Sequence, residues 1–252
     1  MIGQDFFEIL LISWFGLAVV VFVALFFFTA PYGRYTRSGW GPVISSRTGW
    51  IIMEMPAAGL FALFFFLGNR TTSLLPILFL IIWEIHYVHR SVIYPFRFRS
   101  DQKITLLIVA MGVLFNLGNT YINGRYLFSL GPGFADDWVR DPRFITGVFL
   151  FACGFAINKH SDWILKNLRK PGESGYSIPR GGLYRWVSCP NYLGEIIEWI
   201  GWAVATWSLA GLSFAVWTAA NLIPRAWQHH RWYRSEFPDY PKKRKAVIPF
   251  LL

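Results

Sequence analysis

From Phe6 to Phe28 the chain runs through 23 residues whose only charged side chain is Glu8. About 20 apolar residues in a helix cross a hydrocarbon core roughly 30 Å thick. No water inside that core takes up backbone N–H and C=O groups, so only helices and closed barrels span it. No stretch of the sequence alternates apolar and polar residues as a membrane strand does, which leaves helices. The rest of the chain agrees: 54% of its 252 residues are hydrophobic, 19% aromatic and 15% charged, against about 25% charge in a soluble domain. Met1 to Glu8 holds Asp5 and Glu8 and no Lys or Arg, the opposite of a secretory signal's positive start. The first helix is therefore expected to persist in the mature protein.

Hydrophobic blocks predict helices near Phe6 to Phe28, Ile51 to Leu67, Ser73 to Tyr87, Ile104 to Ile122, Phe144 to Ile157, Ile196 to Thr206 and Leu212 to Trp227. The expected fold is all-α, a polytopic membrane protein of about seven transmembrane helices forming a single domain over residues 1–252. With the amino terminus outside, segments facing the cytoplasm hold 20 of the 24 Lys and Arg. Only Arg70, Arg125, Arg140 and Arg143 fall outside, the last two beside Asp136, Asp137 and Asp141. The positive-inside rule then sets the carboxyl terminus in the cytoplasm of a multi-pass protein of a bacterial inner membrane or endoplasmic reticulum. The net charge of +10 fits anionic lipid head groups or phosphate-bearing ligands better than nucleic acid in so apolar a chain. Cys153 and Cys189 sit in no metal-type or redox-type spacing.

Two polar features stand out against lipid. Glu54 lies inside the second block, with Trp50 four residues earlier on the same helical face. Carboxylates within membrane helices are expensive and face the bundle interior or a water-filled cavity, although an interfacial glutamate can also snorkel to water. The third block runs the other way and ends in Trp83-Glu84-Ile85-His86-Tyr87-Val88-His89-Arg90, which returns Tyr87 to the level of Glu54. Two histidines three apart, with no third ligand at matching spacing, do not make a metal site, so none is expected.

The stretch from Asn158 to Glu195 reads as a long polar loop containing Arg169, Lys170, Pro179-Arg180-Gly181-Gly182 and Asn191. Arg forks, Gly-rich turns and a helix start suit phosphate. After Trp227 the tail repeats that chemistry with His229, His230, Arg231, Tyr233, Arg234 and Lys242 to Lys245, though a basic tail also suits lipid head groups. No G-x-G-x-x-G and no P-loop occur, and no nucleophile set stands out.

These residues together resemble the steroid 5-alpha-reductase family, the 3-oxo-5-alpha-steroid 4-dehydrogenases, over nearly the whole chain. The likeness is densest in "HSDWILKNLRKPGESGYSIPRGGLYRWVSCPNYLGEIIEWIGWAVATWSLAG" and "RAWQHHRWYRSEFPDYPKKRKAVIPF". "MEMPA" around Glu54 and "HYVHRSVIYP" from His86 look like the family's two catalytic helices. The resemblance implies an enzyme that uses NADPH, entering from the cytosol, to reduce the delta-4 carbon-carbon double bond of a 3-oxo steroid from the bilayer. By matching position, Glu54 and Tyr87 are expected to be catalytic, and Trp50 and Trp199 to line the substrate cavity. Asn158, Asp162, Arg169, Tyr176, Asn191, Glu195, Arg225, His229 and Tyr233 are expected to hold the dinucleotide. Ser177, Arg180 and Gln228 depart from the residues that animal enzymes of the family carry.

Three rivals remain at the level of sequence. A membrane methyltransferase resembling the isoprenylcysteine carboxyl methyltransferases shares a Pro, Tyr and Gly pattern near its carboxyl terminus and binds S-adenosylmethionine, but it gives no role to Glu54 with Tyr87. A lipid-binding or transport protein would use Glu54 as a ligand contact or proton carrier. A reductase of another enone lipid, an enoyl thioester or polyprenol, is the third alternative.

Overall fold

A computed structural model describes residues 2–29, 31, 35, 39–97, 102–168 and 175–252. Among them are seven long α-helices: α1 (Ile2–Phe27), α2 (Ser46–Leu67), α3 (Leu74–Val88), α4 (Leu106–Arg125), α5 (Pro142–Lys166), α6 (Pro190–Thr206) and α7 (Leu209–Glu236). The one sheet among these residues is a two-stranded antiparallel ribbon, β1 (Val43–Ser45) against β2 (Lys103–Thr105), which leads into α2 and α4. Among the described residues, four helical stretches are long and apolar enough to cross a membrane: Gly3–Phe27, Ser46–Leu67, Leu74–Phe96 and Leu106–Leu130. The first of them leaves Ile12 73% and Phe27 78% exposed, surface that only lipid makes cheap.

Each expected helix is present, but α5 and α7 outrun their hydrophobic blocks. Residues Asn158 to Lys166, expected as loop, are the last two turns of α5, and α7 continues through His229 and Tyr233 to Glu236. Hydropathy follows contact with lipid, so it loses a helix where polar side chains turn inward. Asn158, Ser161 and Asp162 are all buried at helical spacing on α5. Asp141 caps the start of that helix by accepting from Arg143 N at 2.8 Å, with Pro142 at its first turn.

Packing divides the chain into two compact units, Met1–Leu11 with Ala30–Arg140, and Ile12–Thr29 with Asp141–Leu252. In the first, α4 meets α2 through small residues: a Cβ on Gly112 would strike Met53 and one on Gly124 would strike Phe64. Phe61 stacks on Trp83 at 4.1 Å between ring centroids, and Trp83 Nε1 donates to Ala57 O at 3.1 Å, which fixes α3 against α2. After Val88 the backbone passes into a π-helical turn, His89–Ile93. Such turns widen the helix and recur at functional sites.

In the second unit α5 and α6 approach backbone to backbone. A Cβ on Gly154 would stand 2.5 Å from Gly194 O and 2.7 Å from Glu198 Cα, and one on Gly194 would stand 2.5 Å from Asn158 N. Gly147 and Gly201 repeat the arrangement two turns away. The chain reverses from α6 to α7 through Trp207, which adopts a left-handed φ of 42°. Ser208 then caps α7 by accepting from Gly211 N at 2.9 Å. Trp14 lies against Trp217 at 5.1 Å and accepts its Nε1–H at 2.9 Å, which docks the second part of α1 on α7. The segment before α6 pairs with the chain's last residues: Ser188 N donates to Lys245 O at 2.8 Å and Cys189 N to Ala246 O at 3.0 Å.

Candidate active site

The first unit brings Glu54 and Tyr87 together through a residue on a third helix. Glu54, 7% exposed on α2, accepts from Arg90 Nε at 3.3 Å and from Asn116 Nδ2 at 3.3 Å. Tyr87, 2% exposed on α3, donates its hydroxyl to Asn116 Oδ1 at 3.4 Å. Asn116 Nδ2 also donates to Met53 O at 2.7 Å. The Tyr87 ring is wedged between neighbours, with Trp83 at 4.9 Å and His86 at 5.0 Å. Position and hydrogen bonding are therefore set separately, the ring by apolar contact and the hydroxyl by the amide.

Arg90 is delivered by the π-helical turn and explains Trp50. Its guanidinium lies 5.0 Å over the Trp50 ring and 5.3 Å over Tyr94, and those two rings are 5.4 Å apart. The aromatic pair holds the cation, and the cation holds the carboxyl of Glu54. From sequence, Arg90 and Asn116 carry no catalytic signal: Arg90 counts only as a basic residue near a helix end, and Asn116 is a neutral amide in an apolar block. The spacing Asn116, Asn119, Asn123, which lays three amides on one face of α4, is the pattern that marks it; all three are buried.

Most of the expected cofactor residues gather on α5, α6 and α7 of the second unit. Asn158 Nδ2 donates to Asn191 O at 2.9 Å and to Glu195 Oε2 at 3.4 Å, while Asn191 Nδ2 donates to Asp162 Oδ1 at 3.4 Å. Arg225 donates to Tyr192 OH at 3.0 Å, and that hydroxyl lies 3.2 Å from His229 Nε2. Tyr176 meets Trp232 edge-on at 5.0 Å, and Trp232 meets Tyr233 at 5.1 Å. Trp199 is fully buried against Phe214 at 3.8 Å and Phe151 at 5.8 Å. Arg169 lies outside the described residues.

The residues fit a dinucleotide. Asn158 Oδ1 is buried with no hydrogen-bond partner among the described residues, so this network leaves an acceptor for a donor such as a carboxamide. Asn191 opens α6, where backbone N–H groups and the helix dipole favour anionic groups. No group of three or more His, Cys, Asp or Glu able to hold a metal occurs among the described residues.

A second buried network closes the same unit. Ser188 Oγ lies 2.7 Å from His230 Nδ1 and 2.6 Å from Tyr240 OH, and Arg244 donates to Tyr240 OH at 3.4 Å. Burial first, then the cations of Arg234, Arg244 and Lys245, hold the His230 imidazole below its ordinary value of 6.5. An unfolded chain therefore takes up this proton at a higher pH than the folded one. The stabilisation from neutral His230 is complete above pH 6.5 and declines as pH falls below it. Thermal midpoints measured from pH 8 to about 5 should fall on the acid side, and His230→Gln should flatten that fall; parallel curves for the two proteins would refute it.

Comparison with known proteins places the chain beside one family. Residues 102–252 match the family described as 3-oxo-5-alpha-steroid 4-dehydrogenase. The chain is 43% identical to 3-oxo-5-alpha-steroid 4-dehydrogenase 1 of Bos taurus over 245 residues, 94% of this chain and 93% of that one. It is 44% identical to steroid 5-alpha-reductase DET2 of Arabidopsis thaliana over 236 residues, 91% of this chain and 90% of that one.

Proposed function

Because the chain belongs to the 3-oxo-5-alpha-steroid 4-dehydrogenase family, we propose that it uses NADPH to reduce the delta-4 double bond of a 3-oxo steroid from the bilayer, giving the 5-alpha-dihydrosteroid. The observation that carries this reading is the chain of hydrogen bonds from Tyr87 through Asn116 to Glu54, buried in an apolar helical unit. Hydride addition to the β-carbon of an enone pushes negative charge onto the carbonyl oxygen, and donors aimed at that oxygen lower the barrier. Tyr87 supplies the O–H. Glu54, held by Arg90 and Asn116, polarises the phenol and keeps it oriented.

NADPH, when bound, supplies the hydride. Asn158, Asp162, Arg169, Tyr176, Asn191, Glu195, Arg225, His229 and Tyr233 hold the dinucleotide, and Trp50 and Trp199 offer apolar surface to the steroid. Seven helices cross the membrane in a single catalytic domain, with the carboxyl terminus in the cytoplasm beside anionic lipid. Reporter fusions after Leu252 and within Asp136 to Arg143 should be active on opposite sides; a cytoplasmic reporter active at the second position would remove the seven-crossing topology.

The direct test incubates purified protein with NADPH and a panel of 3-oxo-delta-4 steroids and identifies products by mass spectrometry. A gain of two hydrogens at the ring double bond is expected. NADPH binding without reduction of any steroid would move the substrate to another enone lipid, and binding of S-adenosylmethionine in place of NADPH would end the reductase reading. Arg225→Ala should raise the KM for NADPH about tenfold, the worth of one charge-assisted hydrogen bond, with kcat little changed. An unaltered KM would take Arg225 out of the cofactor site.

A further inference from the structure

Tyr87 and Glu54 sit on different helices, yet both bond to the side chain of Asn116 on a third, α4. Resting on the enone-reductase reading above, we propose that Asn116 is the positioning residue of the reaction, aiming the Tyr87 hydroxyl and fixing Glu54 through opposite ends of one amide. The orientation of that amide follows from its neighbours. Met53 O can only accept, so the NH2 of Asn116 must face α2, where it reaches Met53 O at 2.7 Å and Glu54 Oε2 at 3.3 Å. Its Oδ1 is then left for the Tyr87 hydroxyl at 3.4 Å.

The unequal lengths carry the functional point. The bond to Met53 O is short and anchors the amide to the backbone of α2. The bond from Tyr87 is long and weak. It gives the hydroxyl proton up at little cost when a ketone oxygen offers a better acceptor. Preorganising a donor in this way lets it meet the developing oxyanion without reorganisation of the site at the moment of reaction. Asn116 touches neither substrate nor cofactor in this role and acts only through Tyr87 and Glu54. A merely structural asparagine would affect stability, and its loss would multiply with any catalytic defect.

The test compares Asn116→Ala with Asn116→Leu, the second filling the vacated space with an apolar side chain that suits a membrane helix. Both are measured alone and in a Tyr87→Phe background, with steroid reduction, KM for steroid and NADPH affinity read in parallel. Each single variant should lose about 10-fold to 100-fold in kcat, with KM and NADPH affinity within about twofold of the parent. In the Tyr87→Phe background the further loss should be less than about threefold, because the residue Asn116 aims is already disabled. A parent-like kcat in a folded single variant, or losses that multiply in the double variant, would overturn the role of Asn116. Parent protein that binds NADPH but reduces no steroid would instead overturn the reading of the whole site, and the role of Asn116 with it.

Discussion

Tyr87→Phe should slow steroid reduction by about 100-fold to 1,000-fold, the usual effect of removing one donor to a developing oxyanion. The loss should fall almost wholly on kcat. The Tyr87 ring is held by Trp83 and His86, and those contacts survive removal of the hydroxyl, so the helix should stay in place. The residues proposed to hold the cofactor belong to the second unit and this network to the first, so NADPH affinity should stay within about twofold of the parent. Glu54→Gln should match that loss although glutamine keeps the size of the side chain. The amide cannot pair with Arg90 as a carboxyl does, and whichever way it turns, its NH2 faces a donor, either Arg90 Nε or Asn116 Nδ2. The double variant should be little worse than either single one if the pair works as a unit. Near-normal turnover in either single variant would show that other residues polarise the ketone.

Gly154→Ala should be among the most damaging single-methyl changes in the second unit. The new Cβ would lie 2.5 Å from Gly194 O and 2.7 Å from Glu198 Cα, and backbone atoms of a packed helix cannot turn aside as a side-chain tip can. The two helices must part, at a cost of about 1–3 kcal/mol or more. Asn158, one turn along α5, bonds to Asn191 O and Glu195 on α6, so parting the helices stretches the proposed cofactor network as well. Thermal midpoint and NADPH affinity should therefore fall together. Gly59→Ala is the control: a Cβ there meets nothing within 4 Å, and alanine in a helix is favoured over glycine by up to about 1 kcal/mol. Equal midpoints for the two variants would show that the α5–α6 contact has slack.

How much of this was legible in the sequence depends on what each residue displays. The run from Phe6 to Phe28 declares α1 because most of its side chains report on the solvent around them, and that solvent is lipid. The ends of α5 and α7 were not legible by the same rule, since Asn158, Asp162 and Tyr233 are polar and yet turned into the protein. Glu54 was visible because a carboxyl in an apolar helix is costly and so calls for a reason. Asn116 carries no charge and breaks no pattern that hydropathy registers, although it ties the site together. Arg90 was counted for orientation, and its pairing with Glu54 depends on a π-helical turn that nothing in the local sequence announces. The residues proposed to hold the dinucleotide follow no general motif and came into view only through likeness to a family.

The pairing of Ser188 and Cys189 with Lys245 and Ala246 has a bearing on biosynthesis. A membrane protein is threaded into the bilayer as it is translated, and early segments settle before later ones exist. The first segment of this small bridge is made before α7, but its partner is made only after it. The Ser188, His230 and Tyr240 network must wait with it. This face of the protein can therefore close only once α7 and the residues that pair with Ser188 and Cys189 have been made.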